Sequence, residues 1–80
     1  MKATIFVKLK KQVLDTAGKA VENSIDHSLG FKGVKNVRIG KLIELDIDEN
    51  DTKKADEIVH KICDELLVNQ VIEDYSFELK

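Results

Sequence analysis

The apolar residues of this chain change period four times in 80 positions, and that alternation limits the fold more than any other feature. Ile5, Val7 and Leu9 share one parity while Thr4 and Lys8 take the other, the pattern of a half-buried strand. Lys10 to Leu14 reads as a loop. Ala17, Val21, Ile25 and Leu29 then recur every four residues, with Ala20 and Ser24 alongside. This predicts an amphipathic helix of about 14 residues, with Asp15 as its N-cap and Gly30 as a left-handed stop. Val37, Ile39, Ile43, Leu45 and Ile47 return to odd parity around Gly40-Lys41. A two-residue turn there would mix core and solvent faces. A three-residue turn over Gly40, Lys41 and Leu42 keeps them apart, pairing Ile39 with Ile43 and Val37 with Leu45, so a hairpin of that kind is predicted.

A cap at Asn50 or Asp51 opens a second helix, its stripe set by Ala55, Ile58, Ile62 and Leu66 with Val59 and Cys63 beside it, ending near Asn69. Val71, Tyr75, Phe77 and Leu79 alternate as a last strand. The order β-α-β-β-α-β predicts an α+β, ferredoxin-like domain over residues 1–80, an antiparallel sheet with both helices on one face. On the opposite face Phe6, Leu42 and Ile72 are large apolar groups among polar ones, and they are the expected self-association surface, with a sheet edge as the alternative.

A single domain of this size buries only about 60% of its unfolded surface, and its stability is expected at roughly 4–12 kcal/mol. Small domains commonly add a disulfide, a metal or a partner. With one cysteine, Cys63, an internal disulfide and a four-cysteine zinc site are both excluded. Self-association is the remaining staple, and a lone thiol fits a reducing, cytoplasmic setting. The opening apolar run is too short for a signal peptide, and no stretch approaches the ~20 apolar residues of a membrane span. A net charge of −2 gives no general attraction for nucleic acid.

Candidate chemistry thins out on inspection. Asp46-x-Asp48-x-Asn50 with Glu57 has calcium-loop spacing, but the sixth position, which must be glycine, is Asp51, and a strand precedes it. His60 and Cys63 lie three apart on the second helix with no further ligand pair nearby. The glycines form no phosphate loop, and one central strand, Leu42 to Ile47, lacks the stacking aromatics of an RNA-binding sheet. No catalytic residue, cofactor site or metal site is expected. A small-molecule-sensing domain of ACT-like type, with an effector at a dimer interface, is the alternative with this element order.

Three blocks carry a family resemblance. Lys10 to Asp15 with Gly18 to Val21, Val37 to Lys41 with Glu44-Leu45, and Leu66 to Asn69 with Val71 to Tyr75 are together similar to the PurS family. That family is the small subunit of phosphoribosylformylglycinamidine synthase. Its members often read Leu-Asp-Pro-Gln-Gly where this chain has Leu14-Asp15-Thr16-Ala17-Gly18. The resemblance implies a non-catalytic accessory subunit in de novo purine biosynthesis, a homodimer or homotetramer that assembles a synthetase and a glutaminase subunit. Such a subunit would support ammonia transfer within an ATP- and glutamine-dependent ligase. It also points to Arg38, Lys41, Glu73, Asp74 and Tyr75 as candidate partner contacts.

Overall fold

Strand β1, Lys2–Leu9, runs up the middle of a three-stranded antiparallel sheet in the computed structural model, which describes all 80 residues. On one side lies β2, Gly40–Asp46, with Ile5 opposite Ile43 and Phe6 opposite Leu42. On the other lies β3, Glu73–Leu79, with Ile5 opposite Phe77 and Phe6 opposite Ser76. The ladders continue past the strand ends, where Lys2 and Lys80 exchange backbone hydrogen bonds at 2.7 and 2.9 Å and the Ile47 N–H donates to the Met1 carbonyl. The two helices are α1, Thr16–His27, and α2, Thr52–Ile62. No helix is long and apolar enough to cross a membrane.

The core forms where α2 lies on the odd-parity face. Ala3, Ile5 and Val7 from β1 meet Ala55, Val59 and Cys63 from α2, with Ile47 and Val68 closing the ends. Alanine at positions 3 and 55 lets the helix lie close to the sheet. The buried stripe is therefore Ala55–Val59–Cys63, not the expected Ala55–Ile58–Ile62–Leu66: Ile58 is 38% and Leu66 79% exposed. Part of the cause is a π-helical turn over Cys63–Leu67, in which the Val68 N–H reaches the Cys63 carbonyl at 3.0 Å. One extra residue in a turn rotates everything after it. Leu67 and Val68 are carried inward while Leu66 is left in solvent. Val71, expected in the last strand, lies in the turn before β3 and is 83% exposed.

The α+β class, the antiparallel sheet and the two helices stand as expected; the fourth strand does not. Residues 34–39 make no sheet pairing, and Gly40, Lys41 and Leu42, expected as the hairpin turn, open β2 instead. The cause is competition for backbone donors. The Ile39 N–H donates to an Asp15 carboxylate oxygen at 2.7 Å and the Val37 N–H to Glu22 at 3.2 Å. Residues 34–39 are thus bound to α1, and the helix is drawn away from the sheet with them. Only α2 covers the odd-parity face, and Gly18 is the one buried residue of α1.

The molecule is correspondingly long, 49 × 25 × 15 Å with a radius of gyration of 16.2 Å. A compact chain of this length would have about 12 Å. Gly18 sets how closely helix and arm approach, since a Cβ there would lie 2.3 Å from the Val37 carbonyl oxygen. In an unpartnered helix, alanine is worth about 1 kcal/mol over glycine. Here Gly18→Ala is expected to destabilise by about 1–3 kcal/mol, the usual cost of overpacking, read from the urea midpoint. A neutral or stabilised variant would mean that the arm is not held against α1.

Candidate protein interface

Asp15 joins three segments through one side chain. As N-cap of α1 it accepts the Gly18 N–H at 2.7 Å on one oxygen, and the Ile39 N–H on the other. Arg38 completes the clasp: its guanidinium donates to the carbonyls of Lys10 and Val13, both at 3.0 Å, and lies 3.9 Å from Asp15. The two backbone donors hold the Asp15 carboxyl below its ordinary pKa, led by Gly18 and then Ile39, with Arg38 adding to them. Glu22 is also lowered, first by the Lys19 ammonium and then by the Val37 N–H. From sequence Asp15 reads as a cap alone; the signal for its second role is that a cap occupies one carboxylate oxygen and leaves the other free.

The other candidate contacts sit at the same end of the sheet, engaged with each other. Lys41 reaches across β1 to Glu73 at 3.3 Å. Glu73 also accepts the Asn69 N–H at 2.8 Å, and that bond first, with Lys41 adding, keeps its carboxyl low despite partial burial. Lys10 pairs with Asp74 at 3.6 Å. Tyr75 points to the covered face and donates to Asp64 at 3.0 Å; partial burial and that carboxylate push its pKa up to about 12. Its ring and that of Phe77 flank His60, whose centroid lies 4.9 Å from that of Phe77. Cys63 is sealed in the core, where burial pushes its thiol up, so it offers no ready thiolate. Asp46 ends β2 and Asp51 caps α2.

Of the three apolar groups expected on the open face, the structure joins two. Phe6 and Leu42 are direct cross-strand neighbours and line a cleft of about 500 Å³ with Lys8, Arg38, Gly40 and Ser76. Ile72 lies opposite Lys10, beyond the Lys8–Asp74 rung, and does not line it. A second apolar surface was legible as a helical stripe but was expected to be covered. Val21 and Leu29 of that stripe are 41% and 66% exposed, and together with Ile25 and Ala20 they border a groove of about 490 Å³.

Lowered carboxylates stabilise the fold above their unfolded pKa and lose that contribution as pH falls through the folded value. Asp15→Asn is therefore expected to melt below wild type at pH 7. The gap should close as pH falls from about 4, the ordinary carboxylate value, through the lower folded value. A gap that stays constant down to pH 2 would contradict the clasp.

Three comparisons bear on this arrangement. A family model described as PurS, phosphoribosylformylglycinamidine (FGAM) synthase, matches residues 2–80. The chain is 43% identical over 79 residues to the phosphoribosylformylglycinamidine synthase subunit PurS of Bacillus subtilis, covering 99% of this chain and 92% of that protein. The crystal structure of Methanocaldococcus jannaschii PurS, one of the subunits of formylglycinamide ribonucleotide amidotransferase in the purine biosynthetic pathway, superposes with a TM-score of 0.86 at 39% identity, covering 99% of this chain and 94% of that one. A chain of the Thermotoga maritima PurLQS structure gives 0.88 at 39% identity, covering 96% and 93%.

Proposed function

This chain belongs to the PurS family, and on that premise we propose that it is the small accessory subunit of a phosphoribosylformylglycinamidine synthase in purine biosynthesis. Its partners are the synthetase and glutaminase subunits of that ligase, and its setting is the cytoplasm. The observation that carries this reading is surface left uncovered. The chain exposes 5976 Å², about 1,100 Å² more than a folded monomer of its mass is expected to show. That excess exceeds the ~800 Å² that one partner contributes to a standard interface.

Two surfaces contribute to it. The apolar stripe of α1 stands clear of the sheet, and the β2 half of the odd-parity face, with Ile43 and Leu45 half-buried, has no helix over it. A second copy supplies what each lacks, so the chain works as a homodimer or homotetramer through its α1 arm. Arg38, Lys41, Glu73 and Tyr75 hold the end of the sheet in shape through bonds within the chain. Lys41 and Asp74, with side chains 59% and 61% exposed, are the two of the five best placed to meet a partner directly.

The role is architectural. Ammonia released by one subunit and consumed by another is protonated or lost if it crosses bulk water, so the two centres must be fixed relative to one another behind a water-excluding wall. A rigid non-catalytic subunit does this without touching substrate. Glutamine-dependent amidine synthesis by the synthetase and glutaminase is therefore expected to require this chain, while synthesis from supplied ammonia should need it far less. Equal glutamine-dependent rates with and without it would refute the assignment.

A further inference from the structure

Charge is unevenly divided along this chain in a way its net value hides. Residues 1–41 carry nine Lys or Arg and three Asp or Glu, a charge of +6; residues 42–80 carry four and twelve, a charge of −8. Folding gathers much of the positive half around one end of the sheet, where Lys8 ends its run along β1, Lys10 and Lys11 follow, and Arg38 and Lys41 come in beside them. Most cations there are already matched: Lys10 by Asp74, Arg38 by Asp15, Lys41 by Glu73. Lys8, exposed on the open face, has no carboxylate within ion-pair distance, and neither has Lys11 or Lys35.

Lys8 stands beside the cleft floored by Phe6 and Leu42, which are 39% and 56% exposed. An apolar floor with a free ammonium at its rim matches a particular chemistry: one buried hydrophobic anchor flanked by carboxylate. We propose that this cleft seats an acidic segment of one of the two enzymatic partner subunits, its apolar side chain on Phe6 and Leu42 and its carboxylate on Lys8. The inference rests on the accessory-subunit reading above and deepens it by assigning the open face to that partner. A second copy is the poorer occupant, since it brings the same excess of cations to this end of the sheet, whereas an acidic segment supplies the carboxylate that Lys8 lacks. Self-association belongs to the α1 arm on the other side of the clasp.

The test uses the full chain with the separate synthetase and glutaminase subunits. Leu42→Arg and Lys8→Ala alter exposed side chains, so melting temperature and oligomer mass should stay at wild-type values; Lys8→Glu sets a second carboxylate opposite Asp74 and should melt slightly lower while keeping its oligomer mass. Binding to one enzymatic subunit should weaken at least tenfold in Leu42→Arg and in Lys8→Glu, and the salt dependence of that binding should flatten in Lys8→Glu. The Lys8→Ala variant should lie between. Affinities within twofold of wild type for all variants overturn the proposal. So does loss of the homo-oligomer in Lys8→Glu or Leu42→Arg, which would give the face to a second copy. A wild-type chain that binds neither subunit overturns the accessory reading and this proposal together; variants failing alone, while unaltered chain binds, support it.

Discussion

One carboxylate decides the shape of this molecule. Asp15 starts α1 with one oxygen and holds the Ile39 N–H with the other, and Arg38 ties the intervening loop to the same point. Once the backbone donors of Val37 and Ile39 are satisfied by side chains of the helix unit, they are lost to the sheet ladder. The expected fourth strand becomes an arm laid along α1, and helix and arm swing clear of the sheet as one body. The half-covered face, the length of the molecule and its excess surface all follow from that exchange of partners.

Local structure was open to reading from the sequence because its causes are local. The parity of Ile5, Val7 and Leu9 gave β1, the four-residue spacing from Ala17 gave α1, and Asp15, Asp51 and Gly30 stand where caps were expected. Long-range placement was not open in the same way. Val37 and Ile39 share the parity of Ile43 and Leu45, so a hairpin fits their pattern as well as an arm does; the difference lies in Asp15 and Glu22, 24 and 15 residues away. The π-turn at Cys63 has no periodic signal either, yet it exchanged Leu66 for Leu67 and Val68 at the core. Of the candidate contacts, Lys41 and Glu73 come from two separate family-like blocks and are partners across the sheet. Lys8 passed as an ordinary polar member of an alternating strand, because its importance depends on which carboxylates its neighbours have already taken.

The cysteine thiol and the tyrosine hydroxyl are used for structure. Cys63 and Tyr75 are both held in their protonated forms, one by burial in the core and the other by burial beside Asp64. Lys10, Arg38 and Lys41 near the end of the sheet are paired, and the partly exposed Lys10–Asp74 pair stabilises by no more than about 1 kcal/mol. The unsatisfied surface lies in the apolar stripe of α1, the bare half of the odd-parity face, and the cleft between Phe6 and Leu42. A chain whose reactive groups are quiet and whose apolar surfaces are open is organised for contact, in keeping with its family.

On this reading the α1 arm is completed by a second copy. Sedimentation velocity of wild type beside Val21→Glu, which places a charge in the exposed stripe, tests it most directly. Wild type should sediment at a multiple of the 9.0 kDa chain mass, and the folded variant should shift to the single chain. Wild type sedimenting as an elongated 9.0 kDa monomer at every concentration would contradict it.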